Sequence, residues 1–141
     1  MCVRTENILL TVLDGRTIVR VTDFGLSKRV DDGELRNYGK CGTPGYMSPE
    51  VVGAQPYSFG ADIWSMGCVY LEMHGRIAKR KLSEYPAIAA RKERDDLDAA
   101  FPEEVAGELA LILKQMLRQR EEDRIDAGGL VKQLGAARGL D

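Results

Sequence analysis

The chain has 141 residues, 44% of them hydrophobic and 30% charged, with a formal net charge of −2. That bounds one compact domain with one core. Basic and acidic residues are interspersed, so neither a nucleic-acid footprint nor a polybasic membrane patch is expected. No apolar run approaches the ~18 residues of a membrane-spanning helix, and Met1-Cys2-Val3-Arg4-Thr5-Glu6 has no apolar signal-peptide core. Cys2, Cys41 and Cys68 lack metal-ligand spacing, and their odd number argues against a disulfide framework. A reducing, intracellular and cytoplasmic setting is the expectation. With His74 as the single histidine, a Ser-His-Asp or zinc-histidine site is not expected.

In chain order, residues 4–22 read as a β-hairpin: Ile8-Leu9-Leu10 forms one strand, Asp14-Gly15 the turn and Ile18-Val19-Arg20-Val21 the return. Asp23-Phe24-Gly25 follows. A strand ending in an acid and then a glycine hands a carboxylate to the mouth of a cleft, with a flexible exit behind it. Residues 27–41, punctuated by Gly33 and Gly39, read as a loop. Between Ser27 and Thr43 there is no serine or threonine, and Tyr38 is the one hydroxyl.

The spacing of Ile63, Met66, Gly67, Tyr70 and Met73 predicts a helix over 57–74, and Val69 and Leu71 widen its apolar face. A helix this apolar is expected to be buried on most sides. Asp62 suits the positive end of its dipole, and Glu72 reads as a surface glutamate. His74-Gly75-Arg76 supplies a glycine stop. Leu82 to Leu97 holds a helical run, Ala87 to Arg91, and a charged, solvated face. Phe101-Pro102-Glu103-Glu104 opens a further helix with Leu109, Ile112, Leu113, Met116 and Leu117 as its stripe. A last helix is expected over Leu130 to Arg138.

Taken as an ordered set, Arg-Thr-Glu-Asn-Ile-Leu-Leu at 4–10, Asp-Phe-Gly at 23–25, Gly-Thr-Pro-Gly-Tyr-Met-Ser-Pro-Glu at 42–50 and Asp-Ile-Trp-Ser-Met-Gly at 62–67 resemble the C-terminal lobe of a Ser/Thr-type protein kinase. The resemblance implies one partial kinase domain over 1–141, mainly α with a short β-hairpin: the large lobe, truncated, without the N-terminal lobe. It implies ATP and Mg²⁺ as cofactors. Asn7 and Asp23 would be the metal ligands, and with Leu9, the floor of the adenine pocket, they would bind the nucleotide. Phe24 would pack inward as a switchable core residue ahead of Gly25. Glu6 and Glu72 stand at acidic positions that favour basic peptides. Thr43 would bridge to the catalytic Asp and Lys, and Asp62 would accept hydrogen bonds from the catalytic-loop backbone. Val69 and Met73 would support the adenine-side spine, and Glu50 would pair with Arg124.

The departures are specific. Counting back from Asn7, Cys2 takes the place of the catalytic Asp, Met1 that of its Arg, and Arg4 that of the catalytic-loop Lys. A thiol carries no charge with which to orient a hydroxyl. Arg120 and Glu121 stand where the family usually has Asp and Pro. There is no G-x-G-x-x-G loop, and neither the strand Lys nor its helix Glu partner is found. Control by Ser/Thr phosphorylation of the 27–41 loop is not expected. The implied activity is ATP-dependent phosphorylation of protein Ser/Thr, with the isolated chain inactive because phosphoryl transfer depends on positioning and charge neutralisation. Three readings stay open: part of a Ser/Thr kinase acting on a protein substrate, a pseudokinase module that binds a partner protein without catalysis, and a non-functional gene fragment. None involves nucleic acid or membrane.

Overall fold

The computed structural model describes residues 3–28, 37, 39–77 and 107–137. Cys2, Tyr38, Arg138, the helical segment expected around Ala87 to Arg91 and the expected helix start at Phe101 to Glu104 lie outside the described residues.

A single 3-10 turn, Thr5–Asn7, leads into β1 (Ile8–Leu13), which pairs antiparallel with β2 (Arg16–Val21). Both strands run further toward the turn than the expected hairpin. The reason is local: Asp14 (φ 50°) and Gly15 (φ 73°) both adopt the left-handed region, and a two-residue turn of that kind matches strand twist and lets pairing continue to Leu13 opposite Arg16. The pleat sorts the side chains. Ile8, Leu10 and Val12 share a charge-free face with Val21, Val19 and Thr17, while Leu9, Thr11 and Leu13 share the other with Arg20, Ile18 and Arg16. The charge-free face is open: Leu10, Val12 and Val19 are 70%, 72% and 62% exposed.

Four helices follow among the described residues: α1 (Pro49–Val52), α2 (Gly60–Ile77), α3 (Glu108–Met116) and α4 (Ala127–Ala137). Pro49 opens α1, where its missing N–H costs nothing. The main core joins Ile63, Trp64 and Leu71 of α2 to Ala110, Ile112, Leu113 and Met116 of α3, with Leu117 and with Leu130 of α4. Gly67 permits the close approach, since a Cβ there would lie 2.9 Å from Leu117 Cδ2.

α2 is walled on two further sides. Val69 packs with Val3 and Tyr46, and Ala61 packs with Val51 and Tyr57. This corrects the expected stripe. Met66 and Met73 are exposed, whereas Glu72, expected on the surface, is 2% exposed. With neighbours on several sides, packing and not the 3.6-residue period decides which positions are covered. Met73 accordingly does not join Val69 in a buried spine. No described helix is long and apolar enough to cross a membrane, and Cys41 and Cys68 are free thiols.

Candidate functional site

The base of the hairpin is the first element of the site. Thr22 donates its backbone N–H to the carbonyl of Asn7 at 2.8 Å, and its hydroxyl donates to the same oxygen at 3.2 Å. Asn7 is buried and is fixed from behind by its own N–H on the Arg4 carbonyl at 3.0 Å. Asp23, one residue past Thr22, therefore emerges at the same end of the ribbon as Asn7. Its backbone is left-handed, with φ +61°, a conformation that costs a non-glycine residue roughly 1–3 kcal/mol and that Asp adopts more readily than most, as Asp14 does in the hairpin turn. The carboxylate folds back to accept the Gly25 N–H at 3.3 Å. A Cβ at Gly25 would sit 3.2 Å from Asp23 Oδ1, so glycine is the residue that leaves room for this bend.

An amide oxygen and a carboxylate are hard donors that suit Mg²⁺. Asn7 and Asp23 are the residues that would hold such an ion, whose chemistry is to neutralise phosphate charge. Among the described residues no group of three or more His, Cys, Asp or Glu assembles. Leu9, next to this end of β1, is 52% exposed and offers an apolar surface.

Phe24 does not pack inward. It is 61% exposed and lines an open cavity of about 250 Å³ together with Leu26, Tyr57, Phe59 and Asp62. Tyr57 and Ala61, packed on Val51, line the same cavity from the α2 side. Asp62 is half-buried there, and burial pushes its carboxyl above the usual aspartate value of 3.8. Arg4 is half-buried, with Nε 4.0 Å from Glu6. Thr43 closes a turn through its carbonyl, which accepts the Tyr46 N–H at 3.1 Å.

The stretch containing Thr43 is anchored at its far end. Arg124 donates from Nη1 to Glu50 Oε1 at 2.8 Å and from Nη2 to Oε2 at 3.1 Å. Its side chain is 0% exposed. Its Nε and Nη2 also donate to the Arg118 carbonyl at 3.2 and 3.0 Å, and the guanidinium lies 5.2 Å from the Trp64 ring centroid. Glu121, a departure in the sequence pattern, has a structural use: its Oε1 accepts the Ser58 N–H at 2.8 Å, just ahead of α2. Arg120 pairs with Glu122.

Sequence reasoning missed one cluster altogether. Thr5 Oγ1 donates to Glu72 Oε2 at 2.8 Å, the Tyr46 hydroxyl donates to the same oxygen, and the two hydroxyls are 3.1 Å apart. Burial, reinforced by Glu72, pushes the Tyr46 phenol up to about 12. The available signal was a tyrosine inside an otherwise small and polar stretch, since a tyrosine that buries its ring needs a partner for its hydroxyl.

The protein kinase domain model matches residues 2–134, and the chain belongs to that family. It is 33% identical over 130 residues to Protein kinase C, eye isozyme, of Drosophila melanogaster (92% of this chain, 18% of the relative). It is 32% identical over 129 residues to Serine/threonine-protein kinase Nek6 of Oryza sativa subsp. japonica (92% and 23%). Over 70 residues it is 50% identical to Ribosomal protein S6 kinase 2 beta of Xenopus laevis (50% and 11%). The chain thus spans 11–23% of the length of these curated relatives.

Proposed function

We propose that these residues are the C-terminal-lobe part of a Ser/Thr protein kinase domain, and that the activity they serve is ATP-dependent phosphorylation of protein serine and threonine. The observation that carries this reading is the hairpin base, where the Thr22–Asn7 hydrogen bonds set Asn7 and the strained Asp23 at one end of the ribbon. There the two side chains would orient a metal-bound phosphate, and Leu9 would floor the base. Glu6, with 60% of its side chain exposed, is the acid open to a basic residue of a peptide, whereas Glu72 is buried.

The chain as it stands transfers no phosphate at a useful rate. Positioning and charge neutralisation carry most of the catalysis, and the thiol of Cys2 cannot orient a substrate hydroxyl as a carboxylate does. A radiolabelled phosphotransfer assay tests this, and transfer well above background contradicts it. Nucleotide binding is a separate test. Mg·ATP raises the melting temperature weakly in the wild type and not at all in Asp23→Ala or Asn7→Ala.

A second reading, a module that binds a protein partner without chemistry, is favoured by the charge-free, exposed Leu10, Val12 and Val19 face of the hairpin. Purified chain that is monodisperse in sedimentation and silent in both assays fits it.

A further inference from the structure

Three stretches distant in sequence converge on one oxygen. Thr5 lies in the 3-10 turn before Asn7, Tyr46 in the Gly42–Glu50 stretch and Glu72 in α2, and both hydroxyls reach Glu72 Oε2. Each hydroxyl owns one proton. Thr5 Oγ1 also stands 3.3 Å from Glu6 Oε2, so two protons serve four contacts; the shorter 2.8 Å distance assigns the Thr5 proton to Glu72, and a shared carboxyl acceptor lets both protons be used. Glu72 is 2% exposed, so its carboxyl depends on such donors for the hydration it has lost. The Tyr46 ring supplies an apolar base against Val3 and Val69. The Tyr46 carbonyl accepts the Ser65 hydroxyl at 2.8 Å, which fixes the main chain beside the ring. Between Ser27 and Thr43 no Ser or Thr exists to carry an ordering phosphate.

We propose that Thr5 is a positioning residue: through Glu72 it holds Tyr46, and with it the Gly42–Glu50 loop, docked on α2 without phosphorylation. By its resemblance to the kinase family this stretch would be the peptide-docking loop, a role that rests on the kinase reading above.

Amide hydrogen exchange on the full chain tests it. The readout is the Tyr46 N–H, which is bonded to the Thr43 carbonyl. Thr5→Val keeps the side-chain shape, removes the donor, and is expected to speed that exchange about tenfold, the effect of losing one hydrogen bond to a charged group. Thr5→Ser restores the hydroxyl and is expected to restore protection, a rescue that a merely space-filling role would not give. Wild-type exchange in Thr5→Val, or exchange in Thr5→Ser as fast as in Thr5→Val, overturns the proposal. Should Thr5→Val fail to fold, a cycle of Thr5→Ala with Tyr46→Phe read by thermal melting decides: non-additive losses support the coupling and additive losses overturn it. Absence of Mg·ATP binding would defeat the nucleotide half-site of Asn7, Leu9 and Asp23 and leave the exchange result standing, and an unchanged exchange rate would do the reverse.

Discussion

Arg124 grips Glu50 through two parallel hydrogen bonds although 74 positions separate them in the chain. The pair ties the end of the Gly42–Glu50 stretch to the segment before α4. Because the Arg124 side chain is fully buried, removing the acid strands a cation away from water. Glu50→Ala is expected to lose about 3–5 kcal/mol of unfolding free energy, measured by urea or thermal unfolding. An unchanged melting point would show that the pair does not hold the fold. Arg124→Lys is expected not to substitute, because an ammonium can neither fork onto both oxygens nor stack flat over Trp64.

The same pair sets the sign of an acid transition. Burial raises the Glu50 carboxyl, but the hydrogen bonds and charge of Arg124 outweigh it and leave the group below its ordinary 4.5. The folded value lies under the unfolded one, so the stabilisation is present above pH 4.5 and is lost as pH falls through the lower folded value. Asp62 has the opposite sign. Burial lifts it above 3.8, so its ionised form weakens the fold at neutral pH and protonation relieves it. The wild-type melting temperature is expected to drop on the acid side, Glu50→Gln to flatten that limb and Asp62→Asn to steepen it.

Gly67→Ala sets helix propensity against packing. Alanine is the better helix former by about 1 kcal/mol. The new Cβ would meet Leu117 Cδ2 at 2.9 Å, Leu117 Cγ at 3.0 Å and Met116 Cβ at 3.3 Å, and Leu117 is 1% exposed with little room to swing. Overpacking costs about 1–3 kcal/mol, so a net loss in urea unfolding is expected. A more stable variant would mean that α2 and α3 part easily at this crossing.

Nucleotide is expected to shift stability only slightly. At a free concentration equal to Kd the gain is about 0.4 kcal/mol, and a shift near that figure at millimolar Mg·ATP is the expectation for the proposed partial site of Asn7, Leu9 and Asp23. Differential scanning fluorimetry with and without EDTA checks both the size and the metal requirement.

Local signals carried the hairpin and the existence of the central helix: Asp14-Gly15 between apolar runs specifies the turn, and the periodicity specifies α2, which nevertheless starts at Gly60 and runs through the expected stop at Gly75 to Ile77. The Glu50–Arg124 pairing was legible only through resemblance, because nothing in the composition links positions so far apart. What stayed hidden depends on three-dimensional neighbours. Glu72 reads as a surface acid until Thr5 and Tyr46 are seen to cover it. Met66 and Met73 read as core until α2 is seen to be walled elsewhere. Phe24 reads as buried until its ring is found on the wall of an open cavity shared with Tyr57 and Phe59. Glu121 reads as a lost proline until its carboxylate is found on the Ser58 N–H.

The turned backbone at Asp23 pulls apart two properties that an amino-acid exchange usually alters together. At φ +61° asparagine and glycine fit with little penalty, while β-branched residues do not. A saturation library at codon 23, sorted only for soluble expression, would return Asn and Gly ahead of Val or Ile. The same library sorted on an ATP resin would return Asp. The difference between the two winners' lists would apportion that codon between chain geometry and charge.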